Sequence, residues 1–194
     1  MTDQDTPELP PRAPPTIHAS QFRGEGDRLV EELDLEFSNG ERRHYRRVCA
    51  RGPGSVIIAA LPDADTILLV REYACGMHRY ELGLPKGRMD PGETPLQAAS
   101  RELKEETGFG ARKLQWLRSL ALSPSYMEFT THLVLAEDLY PERLPGDEPE
   151  EIEVVPWKFA DLHALMLRED CSEGRSLAAL FIVRELLARR GEPA

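Results

Sequence analysis

The sequence predicts an α+β fold, an α/β/α sandwich that carries an N-terminal β-hairpin. Two observations lead to this prediction. Strand-like segments rich in β-branched and apolar residues lie on both sides of one well-marked helix at 95–106. A second amphipathic helix is indicated at about 176–190. Because a helix and a sheet each bury one face against another layer, strands flanked by helices are typical of a layered sandwich.

The N-terminal part divides into a tail and a set of strands. Residues 1–15 contain five prolines among polar and acidic neighbours, a composition that cannot form a packed core, so we expect a disordered tail. Further along, apolar and polar residues alternate on both sides of Asn39-Gly40, the pair that favours a tight hairpin turn. We therefore predict N-terminal strands over 16–50 and the main domain over 51–194.

The main domain opens with two β-branched runs at 55–61 and 66–73, separated by a turn-rich Pro-Asp-Ala-Asp segment. The helix that follows has strong end signals. Thr94 and Gln97 form a capping box, and Pro95 stands at the first turn. Gly108 occupies the position of a left-handed cap. The remaining predicted elements are strands at 114–122, 130–136 and 152–156, a short helix at 160–167, and the final helix, with Gly191 beyond its end.

Charge and cysteine usage exclude several classes of protein. The formal net charge is -10, whereas binding to nucleic acid or to an anionic membrane requires a basic surface. The chain has no apolar run close to the roughly 20 residues that span a bilayer. Three cysteines, Cys49, Cys75 and Cys171, are too few and too far apart for a disulfide framework or a zinc knuckle. We therefore expect a cytoplasmic protein that binds neither nucleic acid nor membrane.

The acidic part of the helix at 95–106 carries the strongest chemical signal. At about 100° per residue, Glu102, Glu105 and Glu106 share one sector of the helix beside an apolar stripe. Like charges at this spacing repel each other, so the cluster is either a solvated helix face or a cation site. Oxygen ligands select hard ions such as Mg²⁺ or Mn²⁺. A preceding Gly- and Pro-rich loop at 83–92 has a backbone that can approach a metal or a diphosphate closely.

The complete spacing around this helix resembles the Nudix box. The chain has Gly87, five residues, Glu93, seven residues, Arg101-Glu102-Leu103, one residue, Glu105-Glu106, one residue, and Gly108-Phe109. The resemblance implies a Nudix hydrolase, a metal-dependent enzyme that cuts a diphosphate bond, with 51–194 as its catalytic core. It implies that the Gly87 carbonyl, Glu102, Glu105 and Glu106 are metal ligands. It also implies that Glu93 orients Arg101 and the helix.

Outside the box the chain is similar to the ADP-ribose pyrophosphatase branch of the family. Among the members of this branch, it is similar to the bacterial ADP compounds hydrolases. The similarity includes the stretches LDLEFSNG, REYACG, YELGLPKG, PSY, DLYPE and GDEPE. It implies hydrolysis of ADP-ribose, NADH and adenosine dinucleotides to AMP and a second phosphomonoester. It also implies a homodimer formed through the N-terminal strands, and Mg²⁺ or Mn²⁺ as the only cofactor.

In that branch a glutamate from a later loop is the general base, which makes Glu148 and Glu150 the candidates, with Glu105 next. The alternative is that the acidic stretch at 147–151 is a disordered turn without a catalytic role. The positions that suit contacts to phosphate, adenine or ribose are Arg71, Tyr73, Glu81, Lys86 and Tyr126. The two tyrosines are equally compatible with core packing, and Lys86 with a surface charge.

Two alternatives remain at this point. Leu84-Pro85-Lys86-Gly87 followed by Glu93 is also similar to dinucleoside polyphosphate hydrolases of the same family, which differ in their products. A binding or regulatory protein with the same fold is the other alternative. Such proteins typically lose glutamates of the box, and this chain retains them all.

Overall fold

Residues 10–25, 29–50 and 52–190 are described by a computed structural model, which divides them into two units. The first unit contains the described residues up to Ala50 together with Ser125–Glu128, and the second contains the described residues from 52 to Pro124 and from Phe129 onward. Residues 1–9 of the predicted tail lie outside the described residues, and residues 10–15 have no regular secondary structure.

The described residues form eleven strands and three α-helices. The strands are β1 (Thr16–Arg23), β2 (Val30–Glu36), β3 (Arg42–Cys49), β4 (Ser55–Asp63), β5 (Thr66–Ala74), β6 (Arg79–Gly83), β7 (Lys86–Arg88), β8 (Phe109–Ala121), β9 (Met127–Glu128), β10 (Thr130–Pro141) and β11 (Glu153–Lys158). The helices are α1 (Pro95–Thr107), α2 (Leu162–Met166) and α3 (Gly174–Arg190), and a 3₁₀ turn at Phe159–Asp161 precedes α2.

The first unit is a four-stranded sheet in the order β1-β2-β3-β9. The predicted hairpin is confirmed, since β2 and β3 pair around a turn in which Gly40 has a φ of 81°. Sequence reasoning did not mark β1 as a separate strand, because all of its residues are exposed and its apolar residues show no regular alternation. Ion pairs instead tie β1 and β3 to β2, among them Arg23 and Arg46 on the two oxygens of Glu32.

The second unit is built on a sheet in the order β11-β5-β4-β10-β8, with β6 added to β5 and β7 added to β4. Strands β4 and β10 run parallel, and the other neighbours are antiparallel. The segment 83–92 was predicted as a loop, which is wrong in part: Gly83 ends β6, and Lys86–Arg88 form β7. A three-residue strand leaves no periodic signal, and its partner β4 lies about 30 residues earlier in the chain.

Strand β4 separates two apolar cores and confirms the predicted α/β/α sandwich. Ile57 and the residues at every second position from it along β4 pack with α2 and α3. Ile58 and the residues at every second position from it point to the other face of the sheet and pack with Ala99 and Leu103 of α1. All four of these side chains are fully buried. Burial of one large aliphatic side chain contributes about 1.5–3 kcal/mol, so all three helices are held firmly on the sheet.

Helix α1 has the ends that the sequence predicts. The Thr94 side chain accepts the Gln97 N–H, the Gln97 side chain accepts the Thr94 N–H, and Gly108 adopts the left-handed conformation at φ 75°. Helix α3 starts two residues before its predicted start, because the Glu173 carboxylate accepts the Ser176 N–H at 2.7 Å. Gly191 lies outside the described residues. Among the residues that the model describes, no helix is long and apolar enough to cross a membrane.

Candidate active site

The acidic sector of α1 faces inward rather than toward solvent. Glu102 and Glu106 are 8% and 6% exposed, and Glu105 is half-buried. A solvated helix face would leave these carboxylates in water, so the structure excludes that interpretation for Glu102 and Glu106. Two carboxylates that leave water require compensating positive charge or hydrogen bonds.

Arg101 supplies part of that compensation. Its guanidinium donates to both oxygens of Glu93, at 3.0 and 2.9 Å, and to the Arg88 carbonyl at 2.9 Å. One of its nitrogens, Nη1, donates to Glu102 at 2.7 Å and to Glu105 at 3.0 Å. The hydrogen bonds to Arg101 lower the pKa of Glu93. Arg101 therefore joins the turn before α1 to two of the three carboxylates.

Strand β7 lies directly against the carboxylates of α1. A Cβ atom at Gly87 would overlap the carboxylate of Glu102, so only glycine permits this close approach. The neighbouring Lys86 N–H donates to Glu106 at 3.1 Å, and the Lys86 ammonium donates to Glu72 at 2.8 Å. The backbone of the Gly-rich segment and the carboxylates of α1 thus meet at one place.

The electrostatics of this place favour a bound cation. Burial raises the pKa of Glu106 to about 8, despite the Lys86 N–H and ammonium, and burial also raises the pKa of Glu102. A cation would restore the charged carboxylates, and an all-oxygen donor set suits Mg²⁺ or Mn²⁺. Within the described ranges, no group of three His, Cys, Asp or Glu side chains is arranged to hold a metal ion, and Arg101 is hydrogen-bonded to Glu102 and Glu105.

Residues 143–152, called here the acidic loop, form the opposite wall. The loop and the three carboxylates of α1 enclose a cavity of about 340 Å³. Glu148 lines this cavity, and burial, followed by the charges of Glu72 and Asp147, raises its pKa. Glu150 differs from Glu148, because the Tyr80 hydroxyl donates to its carboxylate at 2.5 Å.

Two further cavities extend this space into a groove. One of about 290 Å³ shares residues 148–152 with the first and is also lined by Arg71, Tyr73 and Tyr80. Another of about 320 Å³ shares Glu72 and Tyr73 with the second and is lined by Lys86 as well. The groove therefore runs from the carboxylates of α1 past a pair of tyrosine rings, whose centroids are 5.8 Å apart.

The predicted substrate contacts lie in different surroundings. Arg71 stacks over the Tyr80 ring at 5.2 Å and donates to Glu153, and Tyr73 is hydrogen-bonded to His78 at 2.6 Å. Glu81 accepts hydrogen bonds from Arg79 and from the backbone and hydroxyl of Ser172, at the edge of the third cavity. Tyr126 belongs to the first unit, where its carbonyl accepts the Val48 N–H and the residue is 53% exposed.

Sequence reasoning missed two residues of the groove, Glu72 and Tyr80. Both stand next to residues that it did select, Arg71 and Glu81. Strands β5 and β6 pair so that Glu72 faces Glu81 and Tyr73 faces Tyr80. A prediction that β5 pairs with β6 in this register would have identified Glu72 and Tyr80 as residues of the groove.

Comparisons with known proteins agree with this geometry. A family model described as NUDIX domain matches residues 51–181, and one described as NudE-type Nudix hydrolase N-terminal domain matches residues 15–47. The chain is 49% identical over 162 residues to the ADP compounds hydrolase NudE of Escherichia coli (strain K12), covering 84% of this chain and 87% of that protein.

Two further similarities are informative. The ADP-ribose pyrophosphatase of Bacillus subtilis (strain 168) is 30% identical over 149 residues, which cover 76% of this chain and 80% of that protein. A crystal structure of ADP compounds hydrolase superposes with a TM-score of 0.84 at 45% identity, covering 94% of this chain and 99% of that one.

Proposed function

The chain belongs to the Nudix hydrolase family, and on that premise we propose that it hydrolyses the diphosphate bond of ADP-linked compounds. The proposed substrates are ADP-ribose, NADH and adenosine dinucleotides, and the products are AMP and a second phosphomonoester. One observation carries the proposal. At one end of a groove, Gly87 lies against the buried carboxylate of Glu102, and the Lys86 N–H donates to the buried carboxylate of Glu106. The names of the relatives support the ADP-linked class.

The proposed cation is Mg²⁺ or Mn²⁺. The residues proposed to hold it are the Gly87 carbonyl, Glu102, Glu105 and Glu106, because they supply only oxygen ligands. A divalent cation bound there would neutralise the diphosphate and acidify the attacking water. Arg101 would orient the carboxylates, and its own orientation would depend on Glu93, which accepts two of its hydrogen bonds.

We assign the general base to Glu148 rather than to Glu150 or Glu105. A base must be within reach of water in the cavity and free to accept its proton. Glu150 accepts the Tyr80 hydroxyl, and Glu105 accepts Arg101. Glu148 lines the cavity beside α1, and its raised pKa brings it closer to neutral pH, as suits a base.

The groove supports an extended, two-armed substrate. Its second and third cavities, of about 290 and 320 Å³, are each of a size that suits one nucleoside or sugar arm. We propose that Tyr73 contacts such an arm through its ring, and that Arg71 and Lys86 contact phosphate. Glu81 is proposed to support the third cavity through its hydrogen bonds to Ser172. Tyr126, a residue of the first unit, is also proposed as a substrate contact.

Turnover with Mg²⁺ over a panel of ADP-linked compounds tests the proposal. The panel contains ADP-ribose, NADH, diadenosine compounds with two to five phosphates, and GDP-mannose, and the products are separated by ion-exchange chromatography. We expect AMP from ADP-ribose and NADH. Rapid hydrolysis of only the longer dinucleoside polyphosphates would show instead that the alternative branch is correct.

Replacement of Glu148 by Gln is expected to lower kcat for ADP-ribose about 10²-fold, because general-base catalysis contributes about that much. The affinity for Mg²⁺, measured by calorimetric titration, should change by less than about twofold, since Glu148 is not among the proposed ligands. Glu185→Gln removes the same charge from an exposed site on α3 that lines none of the three cavities, and is the control. A Glu148→Gln enzyme with the wild-type rate would refute the assignment.

The proposed assembly is a homodimer formed through the first unit. Ile17, Phe22 and Tyr45 are 56%, 62% and 44% exposed. They pair with Leu35, Glu31 and Leu33, which alternate along β2, so all three exposed side chains share one face of the sheet. An exposed apolar face of this kind is typical of an interface between subunits, and a second copy of the chain is the proposed partner.

Light scattering after size exclusion tests the dimer. We expect the wild type to have twice the 21.9 kDa mass of the chain. Ile17→Lys should weaken association by about 30-fold or more, since it buries a charge opposite Leu35, which cannot pair with it. Gln21→Lys places the same charge on the opposite face of β1, opposite Glu32, and should leave the dimer intact. A monomeric wild type would contradict the proposal.

The proposed location is the cytoplasm. Cys49, Cys75 and Cys171 are all free thiols. Free thiols are typical of proteins in a reducing compartment.

A further inference from the structure

We propose that Tyr80 is a positioning residue: by holding Glu150, its hydroxyl group fixes the part of the acidic loop that carries Glu148. This inference rests on the proposed function, in which Glu148 is the base. Tyr80 itself takes no part in the reaction. Its role is to keep the loop where the base reaches the attacking water.

The acidic loop is fixed at its beginning to α1. The Glu142 N–H donates to the Gly108 carbonyl at 3.0 Å, and the Leu144 N–H donates to the Lys104 carbonyl at 3.3 Å. The Lys104 ammonium also pairs with the Glu142 carboxylate at 2.9 Å. The Lys104 carbonyl also accepts the Gly108 N–H at 3.2 Å, so the loop is attached at the point where α1 ends. The loop therefore leaves from the same helix that carries Glu102 and Glu106.

At its other end the loop enters β11, where Glu153 pairs with Arg71 of β5. Between Leu144 and Glu153, residues 145–152 have no helix or strand to hold them. The ion pair from Arg143 to Glu151 is long, at 3.8 Å, whereas the hydrogen bond from Tyr80 to Glu150 is 2.5 Å. The short bond to Tyr80 is thus the firmer hold on this span.

The position of the Tyr80 hydroxyl is itself well determined. Tyr80 lies on β6 and pairs with Tyr73 of β5, whose ring meets it edge-on at 5.8 Å. The Arg71 guanidinium lies over the Tyr80 ring, 5.2 Å from its centroid. A hydroxyl group held by the sheet gives the loop a rigid point of attachment.

One residue separates the attachment from the base. Pro149 stands between Glu150 and Glu148, and its ring restricts the backbone at that step. A displacement of Glu150 therefore moves Glu148. Catalysis is sensitive to shifts of about 1 Å in a reacting group, so loss of the attachment should lower kcat.

A double-mutant cycle on the full-length enzyme tests this coupling. Tyr80→Phe and Glu150→Ala should each lower kcat for ADP-ribose about tenfold, the size expected for one hydrogen bond to a charged group. The double variant should be no slower than either single variant, because both remove the same bond. KM should stay within about twofold in Tyr80→Phe, since the ring that lines the groove remains.

Two variants distinguish whether Glu150 is the attachment point of the loop or the general base. Glu150→Gln keeps an oxygen that accepts the Tyr80 hydroxyl, so kcat should fall only about threefold. Glu185→Ala removes an exposed charge on α3 that lines none of the three cavities, and should change kcat by less than about twofold. A 10²-fold loss in Glu150→Gln, effects that multiply in the double variant, or a Tyr80→Phe enzyme within twofold of wild type would each overturn the inference.

Limited proteolysis with a glutamate-specific protease gives a readout that needs no substrate. Tyr80→Phe should speed cleavage within residues 145–152 by about fivefold or more, and leave cleavage within α1 unchanged. Unaltered cleavage of the loop would overturn the inference. A wild-type enzyme inactive on every ADP-linked compound would refute the proposed function instead, while the proteolysis experiment would still decide whether Tyr80 holds the loop.

Discussion

Removal of divalent cations is expected to lower hydrolysis of ADP-ribose by about 10⁴-fold or more, and added Mg²⁺ or Mn²⁺ should restore it. The physical reason is the sign of the charges around the cavity. Glu102, Glu105, Glu106 and Glu148 all face it, and the substrate is a diphosphate anion. Without a cation, the substrate would have to approach a cavity whose titratable side chains are all acidic except Arg143.

The measurement is the release of AMP in excess EDTA, followed by titration with each metal. Circular dichroism in EDTA is the control, and it should be unchanged, because Arg101 holds Glu93, Glu102 and Glu105 without help from a cation. Activity that persists in EDTA would contradict the proposed metal site. Loss of the folded signal would show instead that the cation acts on stability.

Features that depend on near neighbours in the chain were predictable from the sequence. The ends of α1 are determined by Thr94, Gln97 and Gly108, each of which acts within four residues of the helix end. The strands β4 and β5 follow from unbroken apolar runs, since strands covered on both faces need no alternation. The carboxylate row follows from the helical period, because Glu102 and Glu106 are one turn apart.

Features that depend on distant parts of the chain were not predictable. The sequence offered Glu148 and Glu150 as equal candidates for the base. What separates them is Tyr80, which lies 70 residues before Glu150. In the same way, Glu72 meets Lys86 only because β5 and β7 both pair within one sheet. Local patterns identify the chemical groups, and strand pairing decides which of them meet.

Replacement of Glu106 by Gln is expected to lower kcat for ADP-ribose about 10³-fold, which corresponds to the loss of several kcal/mol of metal-dependent stabilisation. Glu106 is the most buried of the three carboxylates in the row. Steady-state kinetics at saturating Mg²⁺ measure the effect. Glu185→Gln, an exposed carboxylate paired with Arg184 on α3, is the control and should stay within about twofold.

The pH dependence makes this prediction specific to Glu106. Because burial raises its pKa to about 8, the metal-free protein carries a proton on Glu106 below that pH. Mg²⁺ must displace the proton, so its apparent affinity should rise about tenfold per pH unit up to pH 8 and then level off. The slope should vanish in Glu106→Gln. A variant that keeps the wild-type slope would show that another group titrates with the metal.

The stability of the metal-free protein has the opposite dependence on pH. A carboxyl whose pKa is raised on folding contributes stability that is fully present below its unfolded pKa and is lost as the pH rises through about 8. Gln carries no charge and escapes this loss. In EDTA at pH 8.5, Glu106→Gln should therefore melt at a higher temperature than the wild type, although it is nearly inactive. A lower Tm would mean that the substitution damages the fold, and its loss of activity would then say nothing about the metal.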